Sequence, residues 1–250
     1  MHLKRTIGLM ALSLGLVAAG PAGAQPGGHH GHGHGANAGR GGGDVPSRVA
    51  KRVKRAEKAL DRASGYADDG NDTAAVSSLG GVRRNLAAAV KSAGKRVAAA
   101  ADNGPDAAGA VARAQHEVIG EVSGLFDGAD ALVGPLDTTL NAAIDGRDSL
   151  VAAIGALPAD DQQDYAGVLD RIDSDVTEEI DGIDEALSDD TLSGEARDDL
   201  TAARAKLEAT QTAVRALLSG LDTSESASAD DPGDDGRRGD CDGHRGGDDA

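Results

Sequence analysis

His29, His30, His32 and His34 lie within six residues, separated only by glycine. Neutral imidazole is a good ligand for Ni, Cu and Zn, and a flexible segment can wrap several rings around one ion. The site is not preorganised, which keeps its affinity modest. Its first histidine also stands too far from the expected mature amino terminus for an amino-terminal Cu/Ni chelate. Metal binding or buffering by this arm is one expectation, with Ni, Cu or Zn as the ion and no cofactor required by any motif. A solvated Gly/His linker is the alternative.

Other metal patterns are fragments. Cys241 and His244 have a C-x-x-H spacing beside Asp240 and Asp242. That is half a zinc site with no second pair. It is also too short for a calcium loop, which needs more oxygen ligands and a late Glu. Asp173-Ser174-Asp175 begins like such a loop, but Glu178 stands where the turn glycine belongs. His116-Glu117 has Gly120 where a zinc-protease helix needs its second His, and Arg113 where a di-iron helix needs Glu. His116 is therefore expected to be an exposed or half-buried helix residue. There is no Gly-x-Ser-x-Gly and no phosphate-cradling glycine loop. The many paired carboxylates are expected by chance in so acidic a chain. The chain is accordingly expected not to be an enzyme.

A third group is cationic. Arg48, Lys51, Arg52, Lys54, Arg55, Lys58 and Arg62 share one helical segment. At about 100° per residue they lie opposite the stripe Val49, Val53, Ala56, Leu60 and Ala63. Lys51, Arg52, Lys54, Arg55, Lys58 and Arg62 form a candidate surface for a polyanion: an anionic wall polymer, lipid head groups or nucleic acid. The competing expectation is intramolecular: residues 105–221 carry 25 Asp/Glu against 7 Lys/Arg. Charge of the right sign is thus already in the chain at high effective concentration.

Composition narrows the function. Formal net charge is −17. Residues 25–104 hold 13 Lys/Arg against 7 Asp/Glu, whereas residues 105–250 hold 10 against 35. Either a saline habitat or codon bias accounts for the acidity. Tyr66, Tyr165 and Phe126 are the only aromatic residues and Trp is absent, so the core must be built from Val, Leu, Ile and Ala. That excludes a deep aromatic-lined pocket and base stacking on single-stranded nucleic acid, so no nucleic-acid partner is expected. A single Cys allows no internal disulfide.

The elements that must position these groups follow from periodicity. Residues 1–24 read as a Sec-type signal peptide: Lys4-Arg5, an apolar run from Ile7 to Ala19, and Ala22-Gly23-Ala24 as cleavage site. The mature chain is expected to be exported, extracellular or periplasmic, with no transmembrane segment. Residues 25–43 are a Gly/His-rich arm, and residues 222–250 an acidic tail; both are expected to be disordered.

Between them, residues 44–221 show six amphipathic patterns. Asp44 and Pro46 suit the first start. Gly80-Gly81 weakens the start of the second pattern, so a firm helix is expected only beyond it. Gly134-Pro135 is expected to end or kink the third. The fourth carries Leu136, Leu140, Ile144, Val151 and Ile154. The fifth carries Tyr165, Leu169, Ile172, Val176, Ile183 and Leu187, and the sixth closes at Ser219-Gly220. Gly120, Gly124 and Gly128 mark either a close helix approach or a weak helix. The expected fold is all-α, an elongated antiparallel bundle of about six long helices.

A His-rich arm on an exported helical bundle is loosely similar in composition to periplasmic metal-stress proteins. Their Leu-Thr-x-x-Gln motifs are not matched by Leu157-Pro158-Ala159-Asp160-Asp161-Gln162, so no family is assigned. The leading expectation is a non-enzymatic envelope or secreted interaction protein with a protein partner on its helix surfaces or an anionic polymer on its basic helix. Metal buffering by the arm is the alternative.

Overall fold

The apolar stripes read from the sequence become the buried seams of a helical bundle. The computed structural model describes residues 45–127 and 130–228. Among these residues the regular elements are all helical, as expected: α1 (Ser47–Asp68), α2 (Asp72–Val97), α3 (Gly104–Gly124), α4 (Val133–Gly155), α5 (Ala159–Gln163), α6 (Ala166–Leu187) and α7 (Gly194–Ser228). Six are long, and α5 is a single short turn of helix that the periodicity did not signal. Residues 1–44, which include the expected signal peptide and Gly/His-rich arm, residues 128–129 and residues 229–250 lie outside the described residues.

Local chemistry sets most of the boundaries. Pro46 precedes the first turn of α1, where its missing N–H costs nothing. The Asn71 side chain accepts from the Ala74 N–H at 3.2 Å and caps α2. The Ser193 hydroxyl accepts from the Ala196 N–H at the start of α7. At the end of α6, Arg197 donates to the carbonyls of Leu187 and Asp189 at 2.6 and 2.9 Å, which satisfies groups the helix cannot bond itself.

Three boundaries differ from expectation. First, α2 runs unbroken from Asp72 through Gly80-Gly81. Burial of Ala75, Leu79, Val82 and Leu86 along one face outweighs the roughly 1 kcal/mol that each glycine costs. Second, Gly134-Pro135 does not end a helix. The pair sits in the first turn of α4, where proline is tolerated, and α3 already stops at Gly124. Third, α7 continues through Ser219-Gly220 to Ser228. Of the glycine ladder, Gly120 and Gly124 have no neighbour within 4 Å of a β-carbon position, so they mark a weak helix and not a close approach. Gly128 lies outside the described residues.

The six long helices pack as three layers of two. α1 and α2 form one outer layer, α3 and α4 the middle, and α6 and α7 the other outer layer. Between layers, α1 contacts α3 and α3 contacts α6; on the other side, α2 contacts α4 and α4 contacts α7. Paired residues give the directions. Arg52 meets Asn85 and Ala59 meets Gly81, so α1 and α2 are antiparallel. Arg204 meets Asp184 and Arg215 meets Asp173, so α6 and α7 are antiparallel. Thr210 meets Asp148 and Leu217 meets Gly155, so α4 and α7 are parallel. Tyr165 lies at Gly104 and Glu179 at His116, so α3 and α6 are parallel. Arg96 near the end of α2 donates to Asn103 just before α3, so the starts of α1, α3 and α6 share one end of the bundle with the ends of α2, α4 and α7.

The middle layer is covered on both sides and shows it. α3 buries twelve residues of its 21, five of them alanine, which lets its neighbours approach closely. Phe126 and Tyr165, two of the three aromatic residues, are both buried. Tyr165 packs so closely on the start of α3 that a β-carbon on Gly104 would stand 2.1 Å from its hydroxyl.

Candidate functional site

The sequence-predicted cationic residues fall on one open face. Lys51, Arg52, Lys54, Arg55, Lys58 and Arg62 are all exposed on α1, as is Arg48. Val49, Ala56, Leu60 and Ala63 are buried on its other face. Among the described residues none of these cations makes an ion pair; the nearest polar tie is Arg52 donating to Asn85 at 3.4 Å. Among the described residues, the later acidic helices do not pair with this face. α1 packs on α2 and α3, while the most acidic helix, α6, lies two layers away. α2 adds to the charge of the same layer, with five Lys/Arg against one Asp. α6, by contrast, holds eight Asp/Glu against one Arg.

The cationic face has an acidic border. Glu57 and Asp61 of α1 face Glu117 and Glu121 of α3 across the seam between the two helices. Desolvation at the seam raises the carboxyls of Glu117 and Glu121 above their ordinary range; Glu57 and Asp61 raise Glu117 further, and Asp61 and Glu117 raise Glu121. The solvent side of α1, with its exposed cations, faces away from this seam.

A second charged group was missed in the sequence. Arg147 of α4 is wholly buried, and its guanidinium forks onto Glu179 of α6, itself 4% exposed. One arm, Nη2, donates to Oε1 at 2.7 Å; the other, Nη1, donates to Oε2. His116 of α3 donates from Nδ1 to the same Oε1 at 3.1 Å, and its Nε2 lies 3.7 Å from Glu178. The Glu179 hydrogen bond raises the imidazole above its ordinary value, more than burial lowers it. Asp175 completes the group. Burial raises its carboxyl, opposed by the nearby His116 and Arg147.

Around this node Gln115 donates from Nε2 to the Ala143 carbonyl at 3.3 Å. Gly146 leaves the room for it, since a β-carbon there would stand 2.9 Å from that nitrogen. The arrangement holds three charged side chains in fixed relation and ties α3, α4 and α6 at one level. His116 is half-buried, as the sequence suggested, but it is not isolated.

The remaining features are peripheral to both groups. An apolar groove of about 490 Å³ runs between α4 and α7, lined by Val151, Ala152, Gly155, Ala213 and Leu217, with the Asp148–Thr210 hydrogen bond on its wall. No cluster of three or more potential metal ligands occurs among the described residues, and no described helix is long and apolar enough to cross a membrane. His29, His30, His32 and His34, and likewise Cys241 and His244, lie outside the described residues. No family model, curated protein or solved structure matches the chain.

Two predictions follow from the node. Arg147→Met alone strands a buried carboxylate and should lower stability by about 3–5 kcal/mol. Arg147→Met with Glu179→Leu removes both charges and should recover most of that loss. Urea denaturation of both variants measures it, and a double variant no more stable than the single one would show that the pair is not a coupled unit.

The second concerns pH. His116 has a raised folded-state value, so its contribution is fully present below the ordinary imidazole value and is lost as pH rises through the raised one. Glu117, Glu121 and Asp175 are also raised, so they act with the same sign, starting from the ordinary carboxylate range. The denaturation midpoint should fall between about pH 5 and about pH 8, and His116→Gln should flatten the upper part of that slope. A midpoint that climbs with pH would contradict this.

Proposed function

We propose that this chain is an exported, non-enzymatic interaction protein whose bundle offers the α1 face to an anionic polymer of the cell envelope or its surroundings. The observation that carries this reading is the exposure of Lys51, Arg52, Lys54, Arg55, Lys58 and Arg62 without an ion-pair partner among the described residues. Like charges crowded on one helix repel one another, and an anionic ligand relieves that repulsion while releasing counterions. The acidic α6–α7 layer repels the same ligand, so binding is confined to one side and the molecule is oriented on its partner. The signal-like segment 1–24 supports the exported location.

Inorganic polyphosphate is a suitable probe. The full chain should bind it at low ionic strength and release it as salt shortens the screening length to about 3 Å near 1 M. Lys51→Glu with Arg55→Glu and Lys58→Glu should weaken binding about tenfold or more. A triple variant that binds as well as the unchanged chain would remove the basis of the proposal.

Metal buffering is the second reading, favoured by the spacing of His29, His30, His32 and His34. Calorimetric titration with Ni, Cu and Zn should then give affinity near micromolar that disappears when all four are replaced by Ala. Equal affinity in both chains would reduce the arm to a linker.

A further inference from the structure

We propose that the acidic C-terminal tail, residues 229–250, folds back onto the cationic α1–α2 layer and competes there with external polyanions. The proposal rests on the polyanion reading for its consequence but not for its geometry.

Four observations carry it. The α1 face is exposed, and its cations have no ion-pair partner among the described residues. The tail carries eight Asp against three Arg, with Asp230, Asp231, Asp234 and Asp235 grouped near its start. The helix directions put the end of α7 at the same end of the bundle as the start of α1 and the end of α2. Arg48, Lys51 and Arg52 stand at the start of α1, and Lys95 and Arg96 at the end of α2. The tail thus leaves the bundle at the end where these charges stand, though from the opposite outer layer.

The reach is sufficient. Ser228 lies eleven residues beyond Leu217, which is level with the end of α4 at Gly155, so α7 overshoots by roughly 16 Å at about 1.5 Å per residue. With helices packed about 8–10 Å apart, two layers and one column separate α7 from α1 by about 18–22 Å. The 22 residues of the tail span up to about 70 Å when extended and about 25 Å as a flexible coil. A tether matched to its span gives an effective concentration near millimolar. A second copy of the chain, presenting its acidic α6 layer, would compete only at comparable concentration.

Cys241 is the sole cysteine and lies within the tail, so it serves as a specific attachment point for a thiol-to-amine cross-linker. The lysines discriminate between the layers. Lys51, Lys54 and Lys58 are on α1, Lys91 and Lys95 on α2, and Lys206 on α7. In the full chain at low salt, links from Cys241 to each α1–α2 lysine should on average outnumber those to Lys206 by about fivefold or more. That preference should vanish at about 1 M salt and in the variant with Asn at positions 230, 231, 234 and 235. The same variant should bind polyphosphate about threefold or more tighter than the unchanged chain.

Links spread evenly over all lysines, a preference that survives salt and the Asn changes, or links only between separate chains would each overturn tail docking. Failure of polyphosphate binding alone would leave the cross-link pattern standing, so the two proposals fail separately.

Discussion

Arg147 places a guanidinium in the middle layer of the bundle with none of its side chain exposed. Arginine cannot shed its proton to escape a low-dielectric site, so the charge must be met by an opposite one held in good geometry. Glu179 meets it from α6, and His116 holds the carboxylate from α3. Sliding α6 by one turn, about 5.4 Å, would break both contacts together. The pair therefore sets the register of three helices, which Ala, Val and Leu layers do only loosely because such contacts are non-directional. Asp148 with Thr210 and Asp145 with Lys206 extend that level to α7.

Much of this order was legible in the sequence. The stripes of α1, α4 and α6 appear at the right spacing because each helix buries one face, and burial is what the period records. The node is legible only in hindsight. On α4 the inward position between Ile144 and Leu150 is filled by a charged residue, Arg147, whereas on α6 Ile180 continues the apolar stripe beside Glu179. A charge at an inward position of α4 is the signal, although a single sequence does not say which helix supplies its partner. The cationic face was legible in full, but its isolation was not, because layer order is a tertiary property.

The misplaced boundaries share a cause. Gly80-Gly81 and Gly134-Pro135 were judged by local propensity, which amounts to about 1 kcal/mol per glycine and less for proline in a first turn. Burial of Leu79, Val82 and Leu86 on one side, and of Val133 and Leu136 on the other, is larger than those costs. Local signals remain decisive where no apolar face opposes them, as at Asp69-Gly70-Asn71, where Gly70 adopts φ 69° between α1 and α2.

The same comparison of magnitudes explains why the charges segregate. Attraction between exposed charges 4 Å apart in water is about 1 kcal/mol and is screened further by salt. Burying Val49 and Leu60, with Ala56 and Ala63 beside them, is worth about 1.5–3 kcal/mol for each of the two larger side chains. A short turn after α1 obliges it to pack against α2, which is also basic. The acidic helices arrive late in the chain, after α3 and α4 have covered the inner surface of that first pair. Chain order and burial thus place the positive and negative layers on opposite sides, and electrostatics acts afterwards on the surfaces that remain.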